Sequence, residues 1–144
     1  MKLSKKAEYA LRAMILLAGS YRTGLLRIQD IAKREKIPQK FLENILVEIK
    51  TAGLIRSKRG AAGGYEFCMP PQKVTLAQVV RVIDGPLAPL SCVSRYAHIS
   101  CPDEKKCKLK RVMLEVRNAV ARVLEQVTFA DICSENVQPM RGET

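Results

Sequence analysis

Apolar residues recur along the first third of the chain with the period of helices packed on a core. Between residues 4 and 18, Ala7, Ala10, Leu11, Met14, Leu17 and Ala18 form one stripe, which predicts a helix. Thr23-Gly24 interrupts it, and Ile28, Ile31 and Ala32 predict a short second helix from about Ile28 to Glu35. Ile37 precedes a proline, which pushes it out of the helical region, so Lys36-Ile37-Pro38 reads as a turn. Pro38 suits the first position of a third helix. That helix is expected to carry Phe41, Leu42, Ile45, Leu46 and Ile49 inward and to stop at Gly53.

After Gly53 the pattern becomes extended. Residues 54–59 and 65–68 read as two strands joined by Gly60-Ala61-Ala62-Gly63-Gly64, a hairpin turn. Two helices around a tight turn, followed by such a hairpin, make a winged helix-turn-helix. Thr75 to Gln78 is a capping-box sequence that opens a helix expected to bury Leu76, Val79, Val80 and Ile83 and to end at Gly85-Pro86. A long helix follows from about Asp103 to Val127. Its Leu109, Met113, Val116, Val120, Val123 and Val127 form a heptad seam, and Val112, Ala119 and Leu124 widen the apolar face. So small a chain does not readily cover that face, which predicts pairing with a second copy; the alternative is a helix lying on its own head. Thr128 and Asp131 are expected to cap a short last helix. The fold class is therefore mainly α. Residues 1–70 form a winged helix-turn-helix DNA-binding domain. Residues 71–134 supply a connecting helix, a cysteine loop and a dimerisation helix, and 135–144 a loose tail.

Charge sharpens this picture. The chain carries 25 Lys and Arg against 14 Asp and Glu, a net charge of +11. Residues 1–67 hold 14 basic and 6 acidic side chains, a net of +8, so the excess sits on the expected DNA-binding half. A merely solvating charged face is the alternative. No apolar run approaches the ~20 residues of a membrane span, and the amino terminus lacks the pattern of a signal peptide; a cytoplasmic location is expected. Five cysteines in a reducing compartment do not suggest a disulfide framework. A single His, no paired-carboxylate motif and no phosphate-cradling loop argue against an enzyme.

The start of the third helix offers Gln39, Lys40, Glu43 and Asn44 to base edges: amides pair with adenine, Lys reaches guanine or phosphate, and Glu accepts from cytosine. In the wing, Arg56, Lys58 and Arg59 lie beside Gly60, which lets backbone approach the duplex. Arg59 at the tip suits a narrow minor groove, while Arg56 and Lys58 suit phosphate. Tyr9 and Arg12 are further candidates for backbone contact, with Tyr9 as core the alternative.

Cys92, Cys101 and Cys107 gather in one polar stretch with spacing C-x8-C-x5-C, unlike the C-x2-C knuckles of structural zinc sites. Lys105, Lys106, Lys108, Lys110 and Arg111 would favour thiolates. Soft ligands in a loosely spaced loop fit an iron–sulfur cluster better than zinc. Scattered cysteines without a ligand role, thiol oxidation, zinc and control by a docked protein are the rivals. Cys68 and Cys133 are expected to be buried small residues.

KKAEYALRAM, the helix-turn-helix, GLIRSKRGAAGGY, TLAQVVRVIDGP, three cysteines and a closing FADIC together resemble the IscR/NsrR family of winged-helix transcription regulators. The resemblance covers nearly the whole chain. It implies a homodimer that binds double-stranded DNA at an imperfect palindrome, usually as a repressor. It also implies a [2Fe-2S] or [4Fe-4S] cluster on Cys92, Cys101 and Cys107. Minor-groove reading by Arg59 and recognition through Phe41 and Glu43 are implied likewise. This chain departs from the iron–sulfur-assembly regulators of that family in having a longer first cysteine gap and no His after Cys107. Its fourth ligand is left to Glu8, which matches an acidic first-helix position of nitric-oxide-sensing relatives, or to His98.

Overall fold

The computed structural model describes residues 2–134; the expected loose tail at 135–144 lies outside the described residues. Three helices come first, α1 (Lys5–Gly19), α2 (Ile28–Glu35) and α3 (Gln39–Thr51). Ser4 starts α1 by accepting the Ala7 N–H. The α2–α3 turn passes through Lys36 at φ 53°, and Pro38 stands just before α3 as its cap instead of as its first residue. β1 (Ile55–Lys58) and β2 (Gly64–Phe67) pair antiparallel as the wing, with Ile55 opposite Phe67 and Arg56 opposite Glu66. Leu26 adds a bridge to the free edge of β2, its N–H donating to the Tyr65 carbonyl at 3.1 Å and its carbonyl accepting from the Tyr65 N–H at 2.8 Å. A Cβ on Gly64 would stand 2.5 Å from the Leu26 carbonyl oxygen, so this third edge depends on glycine there.

α4 (Leu76–Asp84), α5 (Lys108–Gln126) and α6 (Phe129–Cys133) complete the chain. α4 opens with the predicted Thr75–Gln78 capping box, and α6 with a second one, Thr128–Asp131. Leu76 and Ile83 are half-buried, and Ala77 takes their expected place with Val79 and Val80. One core joins Met14, Leu17, Ile31, Leu42, Ile45 and Phe67 to Val74, Val79 and Phe129. The Phe67 and Phe129 rings meet edge-on with centroids 5.9 Å apart. Head and carboxyl-terminal half thus share an interior.

Three further expectations are corrected. Phe41 is 39% exposed, because its direction on α3 falls a step outside the arc that buries Leu42, Ile45, Leu46 and Ile49. The long helix begins at Lys108, not near Asp103; residues 102–106 form turns in which the Glu104 N–H donates to the Cys101 carbonyl and the Lys106 N–H to the Asp103 carbonyl. Cys68 and Cys133 are exposed. Cys68 stands in a bend just past the end of β2, one residue after inward-pointing Phe67, and its side chain meets solvent. Cys133 lies on the last turn of α6, yet packing against α1 still pushes its thiol pKa up.

Candidate DNA interface and cysteine loop

The head presents its polar residues on two adjoining edges. Gln39, Lys40, Glu43 and Asn44 are exposed at the start of α3. Phe41 lies among them, held by the Tyr9 ring in an edge-on contact at 5.8 Å. Tyr9 is half-buried, and Lys5 and Arg12 approach its ring to 5.1 and 5.8 Å. Arg12 is also bonded to the Glu35 side chain and carbonyl, tying α1 to the end of α2. Lys58, Arg59 and Gly60 are exposed on the wing, and Gly60 adopts φ 105°. Arg56 is not free: Glu66, its register partner, accepts from its Nε at 2.7 Å and raises its pKa.

The composition of the chain did not reveal the role of Arg27. It caps the start of α2, and its guanidinium donates to the Ala61 carbonyl at the tip of the wing. Lys50 of α3 donates to the Ser57 hydroxyl at 2.7 Å. Wing, α2 and α3 therefore enclose a cleft of about 420 Å³ bordered by Arg27, Lys50, Lys58 and Arg59. Four cations around a concave surface suit a phosphate backbone.

The cysteine loop joins α4 to α5. Its first part is anchored: Val93 and Ser94 are buried, and Arg117 of α5 donates to the Val93 carbonyl at 2.7 Å. Cys92 is half-buried in a 3-10 turn (Ser91–Val93), and Cys107 is half-buried as the residue that caps α5. Residues 95–103 are exposed throughout, Cys101 among them. All five thiols are free. Among the described residues, no three His, Cys, Asp or Glu side chains gather closely enough to hold a metal ion.

Glu104 organises the exposed part. It accepts from the Lys110 ammonium, from His98 Nε2 at 2.9 Å and from the Cys101 N–H at 3.3 Å. Lys110 and then His98 hold its carboxyl at about 2, so it is ionised at any physiological pH. Glu8, the other candidate for a fourth ligand, is exposed on α1 with Lys5 at 3.0 Å and Arg12 at 3.6 Å.

α5 buries only Ala121 completely. One side rests on α4 and the segment after it, where Leu124 packs against Ala77, Val80 and Leu87, and Arg81 of α4 bonds Glu125. The other side is open: Leu109 is 56% exposed, Val112 57%, Val116 36% and Val123 40%. With exposed Ala119 these residues step by three and four, a heptad stripe. Leu109, Val116 and Val123 belong to the predicted seam, but Val112 and Ala119 accompany them, and Met113 and Val120 are half-buried. No helix among the described residues is long and apolar enough to cross a membrane.

A family described as Rrf2, iron-dependent transcriptional regulator, matches residues 3–135. A Rhodobacter capsulatus protein named as an rrf2-like HTH-type transcriptional regulator is 38% identical, over 90% of this chain and 91% of its own. The structure of CymR, titled the global cysteine regulator of B. subtilis, superposes with a TM-score of 0.80 at 32% identity, covering 94% of this chain and 98% of its own. The structure of T. potens IscR superposes at 0.75 with 26% identity, covering 99% and 94%.

Proposed function

The chain belongs to the Rrf2 family of transcriptional regulators, and from that premise we propose a cytoplasmic homodimeric repressor whose grip on a palindromic operator is set by an iron–sulfur cluster in the cysteine loop. It acts as a regulator, not as an enzyme. The head, residues 1–70, binds double-stranded DNA. Gln39, Lys40, Phe41 and Glu43 face the major groove, Arg59 and Gly60 the minor groove, and Lys58 and Arg56 the phosphates. Residues 71–134 carry the sensor loop and the dimer helix. The exposed stripe on α5 is the observation that carries the dimer.

The donor set fits a cluster in kind: three free thiols, and no disulfide to break first. They stand apart as folded, so occupancy requires the exposed segment 95–103 to draw in. That movement is inexpensive, because this segment buries no apolar side chain. Cys107 would carry it to the start of α5, and Arg117 links the anchored end of the loop to the middle of the same helix. Such a change alters the angle between two heads across a dimer, and with it the spacing of two wings. When bound, the cluster supplies a cross-link between thiolates that oxidants or nitric oxide can break.

Anaerobic reconstitution followed by iron and sulfide analysis is the test, with operator binding measured on both forms. Iron and sulfide are expected in the wild type and lost from the Cys92, Cys101 and Cys107 to Ala triple variant. The two forms should differ in operator affinity by ~10-fold or more, about 1.4 kcal/mol. A colourless wild type sinks the cluster. A second reading, control through thiol chemistry, is favoured by the exposure of Cys101 and by the likeness to CymR. It predicts operator binding that follows reversible oxidation of the colourless protein.

Arg59→Ala is expected to cost ~1–3 kcal/mol of operator binding and to relax the preference for A·T at the position it reads. Uniform weakening across operators of different sequence, in a gel-shift series at fixed salt, would reduce Arg59 to a phosphate contact.

A further inference from the structure

We propose that Val47, on the outer strip of α3, reads the 5-methyl group of one thymine in each operator half-site; the assignment rests on reading the head as a DNA-binding domain. Two large apolar side chains of the head helices meet solvent, Phe41 at 39% and Val47 at 58% exposure. Phe41 is partly covered by the edge-on Tyr9 ring, and Val47 is the more open of the two. The direction of Val47 is fixed from three sides of the helix. Leu42, Ile45, Leu46 and Ile49 turn one side of α3 into the core. On one shoulder Lys50 donates to the Ser57 hydroxyl of β1 at 2.7 Å, and on the other Glu48 is bonded to Lys6 of α1. Between those shoulders, opposite the core, runs the strip Lys40, Asn44, Val47 and Thr51, spaced by four, three and four residues and exposed throughout.

This strip is the surface that the second helix of a helix-turn-helix lays into the major groove. The groove offers hydrogen-bond donors and acceptors and one kind of apolar group, the thymine methyl. Lys40 and Asn44 suit the polar edges. Thr51 already spends its hydroxyl hydrogen on the Val47 carbonyl, at 2.8 Å. Val47 suits the methyl: it has two apolar branches and no polar atom, and a helix holds its side chain in one strongly preferred rotamer. A contact made by so stiff a group loses little conformational entropy. A protein partner is the poorer match, because one valine among Lys40, Glu43 and Asn44 makes no contiguous apolar patch.

Duplexes that the wild-type protein selects from a random pool supply the operator for the test. Each thymine is then replaced in turn by deoxyuridine, symmetrically in both half-sites, which removes the methyl and leaves every hydrogen-bonding group. Wild-type affinity in a gel shift should fall about 15-fold at one such position, one methyl contact being lost from each half-site. Val47→Ala should bind the unmodified operator more weakly by a similar factor and lose nothing further at that position. Its response to deoxyuridine elsewhere should match wild type, and Val47→Ile, which keeps both branches, should keep the discrimination. A wild type indifferent to every replacement, or a Val47→Ala variant that still senses each one that wild type senses, overturns the assignment and leaves the DNA reading standing. If the wild type selects no duplex, the DNA reading fails and the assignment fails with it.

Discussion

Placing a carboxylate in the middle of the open stripe of α5, by Val116→Glu, is expected to give a folded monomer whose operator affinity is lower by about 100-fold or more. Val116 already reaches solvent in the single chain, so the head loses little by the change. A dimer would desolvate the new charge against its own copy, with no cation on the stripe to pair with it. Burying an unpaired charge costs several kcal/mol, more than one seam position contributes. Two heads joined on one palindrome bind as a linked pair, and separating them forfeits the effective concentration of the second. Sedimentation velocity reads the mass and a gel shift reads the affinity. A variant that stays dimeric would move the interface to another surface.

Phe129→Ala is expected to destabilise the whole protein by about 3–5 kcal/mol, in the range of large-to-small changes in a packed core. Phe129 is fully buried, its ring meets Phe67 edge-on, and its N–H donates to the Val74 carbonyl at 3.0 Å. It lies some sixty residues beyond the wing, yet the wing should lose order with it, because Phe67 ends β2. Thermal melting gives the stability. Amide exchange in β1 and β2 shows whether the loss reaches the head. Melting of α6 alone, with the hairpin still protected, would show that the two halves are energetically separate.

How much of this was legible beforehand depends on what each residue answers to. The helices and the wing were, because apolar spacing, Gly53 and the two capping boxes are local and agree with one another. Phe41 was not: an aromatic side chain suggests burial, but one step of helix rotation decides it. The seam of α5 was half legible. Leu109, Val116 and Val123 follow from period alone, but which residues flank them depends on how the helix is turned against α4, a tertiary matter. Residues 103–107 have helical composition, and Glu104 spends its carboxylate on Cys101 and His98 instead of on a helix surface. The clasp of Arg27 on the wing joins residues 34 apart and leaves no periodic trace. Spacing places Cys92, Cys101 and Cys107 in one loop, but it carries no sign that the loop keeps them apart.

The shared interior has a consequence for synthesis. α1 is translated before the rest of the described fold, but the core it closes includes Val74, Val79 and Phe129. On the ribosome the head therefore lacks part of its interior until the cysteine loop and α5 have both emerged. Contacts so distant in sequence form late and slowly. A nascent chain long enough to carry α3 and the wing is still an incomplete DNA binder, and the competent form arises only in chains that already possess the cysteine loop and α5.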